Sequence, residues 1–260
     1  MRRGGLRARA GALALLTAAG LLAGPVCGAR AAIVNSLRGF AEEEPGWSGA
    51  LAGSYGARGG NTEESTFEGS GRLQWRNEPA IWRLIAAGNR TTRGGAETAR
   101  SSLAHLRHNY LLNQRWATLA FLQFQKNPFQ KLESRFLLGL GGRWRAVKGK
   151  SAVLDLGAAH MFEQEKIQGG GGFAKAQRLS SFLSLQLTVR EGVVIDCLVF
   201  YQPRWNDFGD WRIHGETKLE VALSDALSLF TGYNLDHNSR PPTGVDKTDW
   251  ETRTGFAVKF

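Results

Sequence analysis

The chain has 260 residues, with 33 Lys and Arg against 23 Asp and Glu. Five of those arginines (Arg2, Arg3, Arg7, Arg9 and Arg30) precede residue 32, so 33 less five leaves 28 basic side chains against 23 acidic ones, a net charge of +5 rather than +10. That modest excess comes with no basic helix and no aromatic-basic RNA motif, which excludes a nucleic-acid partner as the working reading. Cys197 alone beyond residue 31 leaves no disulfide to staple the fold.

Residues 1–31 have the layout of a cleaved secretory signal. Arg2, Arg3, Arg7 and Arg9 form a positive n-region, Ala10 to Leu22 is an uncharged apolar run, and Ala29-Arg30-Ala31 is an A-x-A cleavage site. The run falls short of the roughly 20 apolar residues a spanning helix needs. Gly24-Pro25-Val26 before Cys27 is a poor lipidation signal, and Arg2-Arg3 is a weak twin-arginine signal. The general secretory route is therefore expected. Residues 32–46, with Glu42-Glu43-Glu44-Pro45, read as a solvated periplasmic lead.

From Trp47 the apolar residues recur at every second position, the period of a β-strand with two different faces. Twelve such segments follow: Trp47–Arg58, Thr62–Arg76, Ala80–Thr92, Thr98–Leu112, Trp116–Asn127, Gln130–Val147, Ser151–Gln164, Gln177–Arg190, Gly192–Trp205, Trp211–Leu223, Ala226–Asn238 and Thr248–Phe260. The second alternates most cleanly, with Glu64, Thr66, Glu68, Ser70, Arg72, Gln74 and Arg76 against Phe67, Gly69, Gly71, Leu73 and Trp75. The segments exceed the 5–6 residues usual for sandwich strands. Their apolar spacing and the 33 glycines both exclude an amphipathic helical protein.

The fold expected over residues 47–260 is an all-β, closed antiparallel transmembrane β-barrel of about twelve strands. An even strand number is the bacterial habit, as is alternation of tight periplasmic turns with longer outer loops. Here Asn77–Pro79, Asn113–Arg115, Lys148–Lys150, Arg190–Gly192 and Ser224–Ala226 are tight; Arg93–Glu97, Glu165–Ala176, Asn206–Asp210 and Ser239–Lys247 are looser. All eight tryptophans fall near segment ends, where interfacial girdles belong. In the last segment Phe256, Val258 and Phe260 share a face, and a barrel resolves the exposed edge such a strand would otherwise present. Those three residues resemble the signal by which the outer-membrane assembly machinery takes up its clients.

Gly46-Trp-Ser-Gly49, the turn Arg58-Gly-Gly-Asn-Thr62, and Arg240-Pro-Pro-Thr-Gly-Val-Asp-Lys-Thr248 before a terminal strand ending in Phe260 together resemble domain-of-unknown-function family 481. Its members are often labelled salt-induced outer membrane proteins. The resemblance covers about Trp47 to Phe260 and departs from the family pattern at Gly169–Gly172 and in a strongly apolar ninth segment. It implies a barrel in the Gram-negative outer membrane and supplies no catalytic residues.

If the barrel closes, its lumen is lined by Glu64, Glu68, Arg72, Arg76, Arg143, Arg145, Arg178, Arg212, Glu216, Lys218, Glu220, Glu251 and Arg253. This set has a basic surplus, which by ring-of-charge logic favours anions in a narrow pore. The same residues as matched Arg–Glu ladders would instead fill the lumen and make a structural barrel of the envelope, because buried charges must be paired or wet. A third reading is a lipid-acting hydrolase built on His237 and Ser239, two apart on one face near a rim, where histidine would activate serine. No lipase motif surrounds that pair. The remaining histidines lack ligand spacing, and Gly169–Gly172 lacks the Lys-Ser/Thr of a phosphate loop. No metal and no cofactor is expected. The expected partners are outer-membrane lipid, lipopolysaccharide and the assembly machinery; the oligomeric state has no signature in the sequence.

Overall fold

The computed structural model describes residues 45–60, 63–224 and 227–258. The signal segment, most of the lead, and Phe260 lie outside them, as do the side chains of Arg253, Phe256 and Val258. The described chain is a single antiparallel sheet in which every strand pairs with its sequence neighbours, in the order β1 to β12. The strands are β1 Gly46–Arg58, β2 Glu64–Asn77, β3 Ala80–Arg93, β4 Ala96–Leu111, β5 Trp116–Asn127, β6 Leu132–Lys148, β7 Ala152–Ile167, β8 Phe173–Arg190, β9 Val193–Arg204, β10 Asp207–Ala222, β11 Leu227–Asn238 and β12 Thr248–Val258. Their regular elements number those expected from the period-two pattern. Among the described residues no ladder joins β12 to β1.

Several turns are tighter than the sequence suggested. β3 and β4 are joined by Gly94-Gly95, both at positive φ, the backbone a two-residue hairpin requires. β8 begins at Phe173 and β10 at Asp207, so polar residues assigned to loops continue the ladders as far as Trp205-Asn206 and Gln168–Gly172. Hydrogen-bonded pairing overrides local polarity here, because an antiparallel hairpin satisfies its backbone groups right up to the turn. A 3₁₀ turn, Pro128–Gln130, links β5 to β6, with Asn127 capping the Gln130 amide.

The two faces differ in chemistry, as the alternation requires. Ile81, Arg83 and Ile85 are buried while Trp82 and Leu84 between them are exposed. The same alternation places Gln123, Gln125 and Asn127 on the buried side of β5 and Leu122 and Phe124 on the exposed side. The sheet is curled with the polar face concave: Arg107 of β4 lies over the Phe182 ring of β8, 5.5 Å from its centroid, and Arg212 of β10 reaches Glu163 of β7. Neither contact is possible across a flat sheet, where strands stand about 4.8 Å apart.

Halfway along the concave face, Leu119, Phe121, Ala159, Phe182, Leu198 and Phe200 pack as an apolar layer spanning β5 to β9. Glycine makes room for it. A Cβ on Gly157 would sit 2.2 Å from Cε1 of Phe182, so the ring lies directly on the neighbouring strand's backbone. The convex face carries exposed aliphatics such as Leu138 and Leu140 and the tryptophans. Trp47, Trp75 and Trp82 stand in register across β1–β3, and Trp116 faces Trp144 across β5–β6 at 5.9 Å between ring centroids. All five lie at the end of the sheet that carries turns 78–79, 112–115 and 149–151; Trp205, Trp211 and Trp250 lie at the other end.

Candidate functional site: the charged concave face

β7 carries Glu163 and Glu165 two positions apart, so both project from the concave face. Glu163, only 1% exposed, accepts from Arg178 Nε at 2.8 Å and Arg212 Nη1 at 2.7 Å, and Arg135 Nε stands 3.5 Å away. Glu165 pairs with Arg212 at 3.1 Å and with Arg135 at 3.5 Å. Arg178 also holds Asp210 at 2.8 Å, and Asp210 is 3.7 Å from Arg204. Five strands, β6 to β10, are thus tied together at one level by alternating charges. Such a buried network is stable only while complete, since each carboxylate is desolvated.

Beyond the apolar layer, towards turns 112–115 and 149–151, Asp155 is held by Arg145 at 2.8 Å, with Arg143 at 3.9 Å. Arg83 Nε donates to Gln74 at 2.8 Å, and Arg107 Nε to Asn109 at 3.1 Å. The β10–β12 side has lighter pairing: His214 with Asp236 at 2.7 Å, and Lys218 with Glu220, which also accepts from Ser228.

The expected lumen residues divide accordingly. Arg143, Arg145, Arg178 and Arg212 join the two ion networks; Glu64 pairs with Arg93 at 2.5 Å and Arg76 with Glu78. Lys218 and Glu220 pair with each other. Glu68, Glu216 and Glu251 are half-buried on the concave face, and Arg72 is exposed there. Missed from the sequence were Arg83, Arg107, Arg135, Asp155, Glu163, Glu165, Asp210 and Asp236. Carrying the two-residue period outward from each turn would have found Asp155 and Glu163, which share a face with Met161. With these five carboxylates and three arginines counted, the basic surplus of the expected set falls from three to one.

β1 contributes only small residues opposite the middle of β2: Ala50 pairs with Arg72, Ala52 with Ser70 and Ser54 with Glu68. The concave face therefore has a side-chain-filled half, β4 to β10, and a side where Ser70 and Arg72 remain open to water.

His237 and Ser239 do not meet as a catalytic pair. His237 Nδ1 lies 2.8 Å from Thr248 Oγ1, and its ring stacks on Trp211 at 4.6 Å. Ser239 Oγ accepts from the Trp211 amide at 2.8 Å and donates to the Gly209 carbonyl at 3.1 Å. Ser239 thus fastens the start of the loop 239–247 to β10, while His237 bridges β10 and β12 from β11. Among the described residues no cluster of His, Cys, Asp or Glu has the makings of a metal site.

Residues 53–260 match the family model described as "Protein of unknown function, DUF481". The chain belongs to the DUF481 family. No protein of curated function matches this DUF481 sequence. Among solved structures, the NanC porin is similar at 11% identity and a TM-score of 0.48, over 82% of this chain and 99% of that one. The KdgM porin in complex with disordered oligogalacturonate is similar at 11% identity and a TM-score of 0.41, over 81% and 99%. The translocator domain of the autotransporter NalP from Neisseria meningitidis is similar at 12% identity and a TM-score of 0.39, over 82% and 87%.

Proposed function

We propose that this DUF481 protein is an integral outer-membrane β-barrel, closed by pairing of β12 with β1, that forms a narrow passage for small solutes. The carrying observation is the division of its faces. Aromatic and aliphatic side chains are exposed on the convex side, where only lipid would shield them, and charged side chains line the concave side. A sheet of that polarity, with strands of 11 to 18 residues, is long enough for the 9–11 residues that cross a bilayer. The tryptophans at the two ends of the sheet fall where membrane girdles stand. Closure removes the two unpaired edges that lipid cannot satisfy. In this reading Phe256, Val258 and Phe260 serve the assembly machinery, and lipopolysaccharide and phospholipid cover the convex face.

The passage runs along the β11–β12–β1–β2 wall, past Arg72, Glu68 and Glu251 with Glu216 of β10 at its edge, because the β4–β10 half is filled by the ion networks and apolar layer. That filling favours small solutes and a low conductance. It also supports a second reading, an envelope barrel with a blocked lumen, which differs only in whether the small-residue wall stays wet. Any anion preference would come from Arg72, the arginine left exposed on that wall.

The test is single-channel recording of refolded protein in a planar bilayer, with reversal potential under a salt gradient and folding checked by a heat-modifiable gel shift. Discrete small steps that change selectivity in Arg72→Glu support the passage. A silent bilayer from heat-modifiable protein selects the blocked barrel, and absence of the gel shift refutes the barrel.

A further inference from the structure

The loop 239–247 is not a free loop. Lys131 Nζ donates to its Thr243 carbonyl at 2.5 Å, Arg240 pairs with Asp207 at 2.6 Å, and Gln130 Nε2 donates to Asp249 at 3.0 Å just beyond it. These contacts tie it to the 3₁₀ turn and to the β9–β10 turn across the mouth of the concave face. Beneath it lies a cavity of about 260 Å³. That is just below the range of drug-sized ligand pockets.

The chamber's chemistry is specific. Leu132, Ile167, Pro241, Pro242 and Val245 give it apolar walls, and Arg135 and Arg212 reach it from the buried ion network. In that network Arg135, Arg178 and Arg212 face Glu163, Glu165 and Asp210, three guanidiniums to three carboxylates, with the side chain of Arg204, 35% exposed, at the margin. The Nε atoms of Arg135 and Arg212 are buried and have no hydrogen-bond acceptor; that of Arg135 lies 3.5 Å from two carboxylates, an ion-pair distance without hydrogen-bond geometry. A surplus of buried donors is costly until an acceptor arrives. From β11, Asp236 also lines the chamber; His214 occupies its Oδ1, and its Oδ2 is buried with no donor. One part of the chamber, where Arg135 and Arg212 stand beside Glu165, thus holds guanidiniums with unused donors, and another, at Asp236, holds an unused acceptor.

The geometry points to a binding site for a small α-hydroxy carboxylate with an aliphatic body. Its carboxylate would be taken by Arg135 and Arg212, its hydroxyl would donate to Asp236, and its alkyl part would pack under Pro241, Pro242 and Val245. The inference rests on the solute-passage reading for its purpose, as a capture site at the mouth, but not for its chemistry. An α-amino carboxylate offers the same donor, with an added charge for Asp236.

Calorimetry on the full-length protein in detergent, with no conductance involved, tests it with three probes of equal skeleton: 2-hydroxyisocaproate, isocaproate and isopentylammonium. The expected order is 2-hydroxyisocaproate tightest, isocaproate about tenfold weaker for want of the hydroxyl, and isopentylammonium not bound. Arg212→Lys keeps the charge but loses the fork, and should weaken 2-hydroxyisocaproate about tenfold or more. Because Arg212 also holds the network, Val245→Trp provides a second variant that fills the chamber from the loop; it should abolish binding while the heat-modifiable gel shift is retained. Equal binding by folded Val245→Trp, preference for isopentylammonium, or no heat from 2-hydroxyisocaproate overturns the site. Binding by a protein silent in bilayers would leave the site standing and refute the passage; conductance without binding would do the reverse.

Discussion

Glu163→Gln is the substitution the concave face is least able to absorb. The carboxylate is 1% exposed and accepts from two guanidiniums at 2.7 and 2.8 Å, with a third at 3.5 Å. The amide keeps the volume and one acceptor oxygen but turns the other position into a donor facing Arg178 or Arg212. Two charge-assisted hydrogen bonds are weakened, each worth roughly 1.5–3 kcal/mol, and a cation is left buried without its counter-charge. Breaking one partner of a buried pair costs about 3–5 kcal/mol, and that is the loss expected here. Urea titration of protein refolded into lipid vesicles, read by the fraction of heat-modifiable band, measures it. The companion replaces the buried network as a whole, with Arg135→Leu, Glu163→Leu, Glu165→Leu, Arg178→Leu, Asp210→Leu and Arg212→Met, so that no buried charge is left without its partner; it should recover most of the loss, as apolar replacement of a complete network often does. A single-substitution effect below about 1 kcal/mol would refute the buried-network account.

Four further outcomes follow from named positions. Leu138→Arg, on the convex face near the middle of β6, should cost roughly 2–4 kcal/mol in vesicles by the same titration if that face meets lipid; Glu68→Arg on the concave face should cost far less. Gly141→Ala should disrupt the β6–β7 ladder and reduce the refolded fraction, because a Cβ there would lie 2.0 Å from the Ala158 carbonyl oxygen and 2.5 Å from Ala159 Cα, both backbone atoms. Ser239→Ala should loosen the 239–247 loop at a cost of about 1 kcal/mol through loss of two hydrogen bonds, seen as faster proteolysis of that loop. Release of fatty acid from phospholipid should be undetectable in the parent protein and unchanged in His237→Ala, since each member of that pair is engaged elsewhere.

How much of this could be seen in the sequence depends on whether a position obeys the strand period or long-range geometry. Strand number and face assignment were legible because alternation is local: Glu64 to Arg76 state both faces of β2 without reference to any other strand. Turn limits at Phe173 and Asp207 were not, because there the partner strand, rather than local polarity, decides where pairing stops. The site was half legible for the same reason. Arg178 and Arg212 could be placed on the concave face from β8 and β10 alone, but that both end on Glu163 depends on the sheet's curl, which no single segment encodes. The curl in turn depends on which residues fill the interior, with Phe182 settling onto Gly157 and Phe121 onto Gly139. Reading a surplus of basic residues as anion selectivity therefore fails in a specific way. A tally of charges on one face treats each as facing water, whereas here the curl buries the most basic strands against Glu163, Glu165 and Asp155. What remains to act on a solute is Arg72, exposed on the wall, and the edges of the otherwise buried Arg135 and Arg212 that line the chamber.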